Sequence, residues 1–315
     1  MATTSVVVCS YTMSRWESLC ATIDGLRSQS RQPDEVLLVA DNNPELFRAL
    51  ESLGVGRVLL HAGARGCAGA RNLGLQAANG ELVAFLDDDA IPEQGWLERL
   101  VAPLEASPSV VATGGWVLPD GGNVAAWYPK ELYWVFGCSW AGLETRQTLR
   151  NPIGASMAWR RHVLSDVGGF NVAIGHVGDR SGAIGGCEET LAGIQSRALT
   201  RGTIVHARDA VVHHYVGPER VGFSYLLRRG FGEGTSKWVV RSVSGEPLGD
   251  EKAHSRRMAA ALATSLVFPR RWRTALYLTG GLGATAAGYL YGRFSLGAVR
   301  LEQCESPSKA WKVST

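Results

Sequence analysis

Three consecutive aspartates, Asp87-Asp88-Asp89, end the apolar run Leu82-Val-Ala-Phe-Leu86. If that run is a strand, alternation aims Asp87 and Asp89 to the same side, where two carboxylates can share a divalent cation. Mg²⁺ and Mn²⁺ prefer oxygen ligands and commonly bind one or two carboxylates together with phosphates, so the guest such a pair invites is a metal diphosphate. The competing reading is a solvated acidic loop. A second acidic pair, Glu188-Glu189, opens a helical pattern that ends near Arg201 and follows a glycine-rich stretch, residues 175–186. Two readings stay open there. Acidic side chains favour the positive end of a helix, and a carboxylate at the end of a flexible loop can also serve as a general base.

The elements that must position these residues follow from hydrophobic periodicity. Ser5-Val-Val-Val-Cys9 is a continuous apolar run of the kind found in strands buried on both faces. Ser14 and Glu17 form a capping box ahead of Trp16, Leu19, Cys20, Ile23 and Leu26 at helical spacing. The alternation continues with strands at 36–39, 58–60 and 82–86 and helices at 44–53 and 68–78, which predicts a mostly parallel sheet with right-handed crossovers. Ligands bind outside the carboxyl ends of such strands, so Ser10-Tyr11, Asp41-Asn42-Asn43 and the aspartate triplet share one edge. A helix over 96–104, an irregular aromatic stretch over 114–150, a strand at 155–160, a helix at 189–201 and short closing strands at 204–206 and 210–213 complete this part.

Composition bounds the remaining possibilities. With 315 residues, 45% hydrophobic and 19% charged, the chain has room for about two domains, which excludes disorder and fibre. The balance 32 − 29 = +3 implies no nucleic-acid surface. Six cysteines without C-x-x-C pairing, and an N-terminus lacking signal-peptide features, read as a cytoplasmic protein with free thiols. After residue 217 arginine and lysine cluster among apolar helical segments, so residues 1–217 read as one domain and 218–315 as a basic, mostly helical extension. Residues 274–292 carry no charge and approach the roughly 20 residues of a membrane span. Their many small residues favour an interfacial or re-entrant helix, and Gly280, Ala284, Gly288 and Gly292 form a stripe suited to close helix packing, within the chain or in a homodimer. Gly281-x-Gly283-x-x-Ala286 with Glu302 mimics a dinucleotide fingerprint, but too little chain follows to build that fold.

The motifs occur in a set order: Val6-Val-Val-Cys-Ser-Tyr-x3-Arg15, Val39-Ala-Asp41-Asn, Gly69-Ala-Arg71-Asn72-x-Gly74, Gly80-Glu-x-Val-Ala-Phe-Leu-Asp-Asp-Asp89, Gly154-Ala-x-Met-Ala-x-Arg160-Arg161 and Gly186-Cys-Glu-Glu189. Over about residues 4–217 this order resembles the family 2 glycosyltransferases of the GT-A fold, and the extension, with Arg228-Arg-Gly-Phe-Gly-Glu-Gly-Thr-Ser-Lys237, resembles that of bacterial, actinobacterial-type members. The resemblance implies an α/β fold with a Rossmann-like, mostly parallel sheet flanked by helices, here followed by the C-terminal helical extension. It places Ser10, Tyr11 and Asp41 at the nucleotide base, and Arg15, Arg71, Asp87 and Asp88 with them in donor binding. Asp87 and Asp89 match the family's D-x-D, Asp89 being the more direct ligand of Mn²⁺ or Mg²⁺. Glu188-Glu189 stands at the family's Glu-Asp, whose second acid is the base. That selects Glu189, with Glu188 a competitor because the side chain is one methylene longer. His213 or His214 supplies a third metal ligand or is structural. Of the aromatic set, Trp116, Trp134 and Trp140 are expected at the acceptor, unless the set is only a hydrophobic cluster.

The implied activity is inverting, metal-dependent transfer of a sugar from a UDP- or TDP-sugar to a hydroxyl of a glycan, lipid-linked or small-molecule acceptor. The enzyme is expected on the cytoplasmic face of an anionic membrane. A nucleotidyltransferase is the rival enzyme, though residues 10–15 lack the glycine of a triphosphate loop. A non-catalytic, membrane-associated nucleotide-sugar-binding protein is the rival from another class.

Overall fold

The computed structural model describes residues 1–63, 65–174, 186–247 and 249–296. The glycine loop read at 175–186 lies outside them except for Gly186, as does Glu302.

The first half alternates as the periodicity requires: β1 (Thr4–Ser10), α1 (Trp16–Arg27), β2 (Glu35–Asp41), α2 (Pro44–Ser52), β3 (Arg57–His61), α3 (Cys67–Ala77), β4 (Leu82–Asp87), the short β5 (Ala90–Pro92) and α4 (Trp96–Ala106). Then come β6 (Val110–Asp120), β7 (Thr148–Leu149), β8 (Ser156–Arg160), α5 (Arg161–Asp166), α6 (Glu188–Thr200) and β9 (Thr203–Tyr215), followed by α7 (Phe223–Ser244), α8 (Gly249–Val267) and α9 (Trp272–Ser295). The sheet order is β3-β2-β1-β4-β8-β6-β9-β5. Strands β1 to β4 pair in parallel, β8 enters antiparallel between β4 and β6, and β6 pairs with β9 in parallel. This is the mixed, mostly parallel α/β sheet with C-terminal helices that the sequence predicts. The antiparallel β8 is an addition to that reading.

Three local readings change. Ser14 does not cap α1: it sits in a 3-10 turn, Met13–Arg15, where its amide donates to Thr12 Oγ1 at 3.2 Å. The two closing strands are one, because β9 continues through Arg208 and Asp209, where its register against β6 shifts. Residues 114–120 of the stretch read as irregular belong to the eleven-residue β6. Gly114 and Gly115 disguise that strand, yet Gly115 is needed there: a Cβ would meet Ser156 Oγ and the carbonyl of Ala210.

The extension shares the sheet's core. Leu226 of α7, Met258 of α8 and Leu278 of α9 belong to the same buried cluster as Leu132, Phe136 and Val212. The small-residue stripe of α9 is used inside the chain. A Cβ on Gly288 would strike the Phe231 carbonyl, one on Gly292 would meet Trp238, and Ala284 lies against Gly230. The stripe is therefore the seam between α7 and α9. Among the described residues no helix is long and apolar enough to cross a membrane.

Candidate active site

The carboxyl ends of β1, β2 and β4 open into a cavity of about 1210 Å³. That exceeds the usual range of about 300–1,000 Å³ for a single-ligand site. Ser10, Tyr11, Arg15, Asp41, Arg71, Asp87, Asp88, Asp89, Glu188, Glu189, His214, Trp134 and Trp140 all line it.

The metal-type cluster is Asp87, Asp89 and His214, whose ligand atoms lie within 4.8 Å of one another. The two carboxylates fit Mn²⁺ or Mg²⁺, and the imidazole beside them favours the transition metal of the two. His214 Nε2 stands 2.9 Å from Asp89 Oδ1, while Arg15 Nη1 lies 3.1 Å and Arg220 Nη1 3.8 Å from Asp89 Oδ2. Against the cost of burial, His214, Arg15 and Arg220 hold the Asp89 carboxyl well below the usual range, and Asp89 in turn raises His214. Asp88 is different. Burial first, and then Asp89, push its carboxyl up to about 6, while it accepts hydrogen bonds from Ser10 Oγ and, at 3.1 Å, Arg15 Nη1. Asp88 is thus a fastener for the strand ends.

Arg71, 4% exposed, bridges the two acidic motifs. Its Nη2 donates to Asp87 Oδ1 at 2.9 Å, and its Nη1 donates to Glu189 Oε1 at 2.8 Å and Glu188 Oε1 at 3.4 Å. This junction is not legible in the sequence, which points Arg71 only to donor binding. Glu188 is buried, its Oε2 has no hydrogen-bond partner among the described residues, and burial followed by Glu189 raises its carboxyl to about 8. Glu189 keeps a 15% exposed side chain. Gly154 makes room for the pair, since a Cβ there would collide with Glu189 Oε1 and approach Arg71 Nη2 to 2.5 Å. Gly154→Ala is expected to cost about 1–3 kcal/mol of stability by overpacking and to lower turnover by about 10²-fold through misplacement of Glu189. Chemical denaturation and kcat together check both effects.

At the carboxyl end of β2, Asp41 accepts from Asn42 Nδ2 at 2.8 Å and from the Gly66 amide at 3.1 Å, and its Oδ1 lies 2.7 Å from His61 Nδ1. Asn43 caps α2 through Leu46 N at 3.0 Å and donates to the Tyr11 carbonyl at 3.2 Å. The Arg15 guanidinium lies 5.2 Å from the Tyr11 ring centroid.

Two expected residues fall elsewhere. His213 projects to the opposite face of β9 from His214, where its Nε2 is 2.9 Å from Glu93 Oε1, exposed and away from the cavity. Trp116 stacks on His206 at 5.6 Å and is not in the cavity wall. Trp127, Tyr128 and Tyr133 form an aromatic cluster with Tyr277 and Phe136. Conversely, Arg220, Arg228, Lys237, Glu251 and His254 line the cavity and were missed, because the extension was read as a separate module.

The family model for glycosyl transferase family 2 matches residues 5–168. The chain belongs to that family. A curated relative, glucosyl-dolichyl phosphate glucuronosyltransferase of Haloferax volcanii, is 33% identical over 256 residues, 79% of this chain and 81% of the relative. The pre-mycofactocin glycosyltransferase of Mycobacterium tuberculosis is 34% identical over 116 residues, 36% of this chain and 25% of that protein. Among solved structures, a mannosyltransferase from Pyrobaculum calidifontis in complex with GDP-Man and Mn²⁺ superposes with a TM-score of 0.62 at 20% identity, covering 92% of this chain and 87% of its own. That likeness shows the GT-A fold. Membership shows a glycosyltransferase that uses nucleotide sugars.

Proposed function

We propose that this family 2 glycosyltransferase moves a sugar, with inversion, from a UDP- or TDP-sugar to a hydroxyl of a lipid-linked acceptor on the cytoplasmic side of a membrane. The observation that carries the reading is the convergence of Asp87, Asp89 and His214 with Glu188 and Glu189 around Arg71 in one cavity. The name of the Haloferax volcanii relative, which contains a glucosyl-dolichyl phosphate, supports the lipid-linked class of acceptor.

Asp87, Asp89 and His214 would hold Mn²⁺ or Mg²⁺, which when bound neutralises charge developing on a diphosphate leaving group. Ser10, Tyr11 and Asp41 line the nucleotide end, with Arg15 between them and the aspartates. Glu189 takes the acceptor hydroxyl proton as that oxygen attacks the anomeric carbon. The bond from that carbon to the diphosphate oxygen breaks on the opposite face, so one displacement inverts the centre. Burial and the neighbouring Glu189 favour the protonated form of Glu188, and Glu189, with a 15% exposed side chain against 2% for Glu188, is the one open to an acceptor. Trp134 and Trp140 line the same cavity, and we assign them to the acceptor.

The test is diphosphate release from UDP-, TDP- and GDP-sugars with a polyprenyl-phosphate-linked acceptor, the product anomer being read by NMR. Inverted product from a uridine or thymidine donor supports the reading; a retained anomer overturns the single displacement. Asp41→Ala is expected to weaken nucleoside diphosphate binding about 10–100-fold, the worth of a charged hydrogen bond of about 1.5–3 kcal/mol. Unchanged affinity by calorimetry would remove Asp41 from the base pocket.

A further inference from the structure

The pair α8–α9 carries an exposed apolar face with a one-signed charge rim. Eight of the fifteen exposed large apolar side chains among the described residues fall between 266 and 294, a density that marks a patch rather than scatter. Leu266, Val267, Phe268 and Trp272 surround the turn between the helices, exposed by 53–72%. Farther along α9, Leu276, Leu290 and Phe294 continue it, and residues 274–292 contain no charged side chain. From 252 to 296 the chain has seven lysines and arginines, all exposed, and no aspartate or glutamate. Arg271 lies over Phe268 at 5.5 Å, Arg273 over Trp272 at 5.4 Å and Arg293 over Phe294 at 5.6 Å. Aromatic rings and cations thus meet at both ends of the uncharged stretch.

We infer that this face docks on an anionic lipid surface, with Phe268 and Trp272 entering the interface and Arg270, Arg271 and Arg273 pairing with lipid headgroups. Apolar area combined with electrostatic attraction is what holds an interfacial helix, and each basic residue near an anionic bilayer multiplies partition by about fivefold. A second copy is the poorer occupant. An isologous contact sets a surface against itself, so Arg270, Arg271 and Arg273 at the turn would face their own copies, with no acid between residues 266 and 294 to pair with them. The small-residue stripe, the other route to a dimer, is already covered by α7. Leu290 belongs both to the exposed face and to the cavity wall, beside Leu282 and Tyr289. Docking therefore sets the cavity next to the bilayer; only this consequence for acceptor entry rests on the proposed transfer reaction, and the docking does not.

Vesicle flotation of the full chain tests it, using phosphatidylcholine alone and phosphatidylcholine with 30% phosphatidylglycerol (about one anionic lipid in three). Flotation is expected with the anionic vesicles only, weakening as salt rises. Replacing Arg270, Arg271 and Arg273 by Gln should reduce binding about 100-fold, and Phe268→Ser with Trp272→Ser should reduce it at least tenfold. An unchanged thermal shift with nucleoside diphosphate shows that each variant is folded. Absence of flotation with either vesicle overturns the docking. So does a concentration-dependent dimer, seen by sedimentation, that the Phe268 and Trp272 replacements abolish.

Discussion

Glu189→Gln is expected to lower kcat by about 10²–10⁴-fold, the loss typical of a missing general base, with nucleoside diphosphate affinity nearly unchanged. The amide is isosteric, and its oxygen can still accept from Arg71 Nη1, which now donates to Glu189 Oε1 at 2.8 Å. What disappears is the capacity to take a proton. Glu188→Gln should be milder, because a carboxyl raised to about 8 by burial and by Glu189 is already neutral at pH 7. The same group gives an independent readout. Its folded value lies above the unfolded one near 4.5, so its stabilising contribution is complete below about pH 4.5 and is lost as pH rises through about 8. Glu188→Gln should therefore gain thermal stability relative to the parent at pH 8.5 and less at pH 5. If Glu188→Gln proves the more damaging for kcat, the base is Glu188. Equal small losses would return both acids to the role of a helix N-terminal cap.

The two acidic motifs were legible because each is local: three aspartates ending a buried run, and two glutamates opening an amphipathic helix. Their meeting on Arg71 was not, since it joins positions 71, 87 and 189 through tertiary packing that no periodicity encodes. The choice between His213 and His214 is a matter of parity. Val212 and His214 share a face of β9, and Val212 is fully buried, so a continuous strand selects His214. The sequence reading ended that strand at 213, which left His214 outside the alternation. Trp116 fails for a related reason, because the register shifts between Gly115 and Trp116 and the ring is carried to His206. The extension's share of the cavity was hidden for a different cause. A basic, alanine- and glycine-rich helix pair has weak amphipathicity of its own, and its packing partners, Leu132 and Phe136, are far away in sequence.

Chelation is expected to abolish transfer and Mn²⁺ or Mg²⁺ to restore it, with Asp87→Asn and Asp89→Asn each losing about 10²–10⁴-fold in kcat/KM, the equivalent of several kcal/mol of charge stabilisation. The two variants should differ in stability, which separates ligation from folding. Asp87 has a 32% exposed side chain and faces Arg71, so its amide leaves the fold intact. Asp89 is 2% exposed and compensates His214, Arg15 and Arg220 together. Removing one partner of a buried pair typically costs about 3–5 kcal/mol, so Asp89→Asn should also melt earlier. Its pH dependence has a definite sign. The depressed Asp89 carboxyl contributes stability that is present above the unfolded value near 3.8 and lost as pH falls below it, so the variant should be less sensitive to acid than the parent while being less stable at pH 7. A metal role then rests on Asp87→Asn, which loses transfer without losing stability, and on its reduced Mn²⁺ affinity by calorimetry. Full turnover of the parent in EDTA after exhaustive dialysis, or an Asp87→Asn variant with unaltered activity, would sink the metal assignment and leave Asp87 as no more than a partner of Arg71.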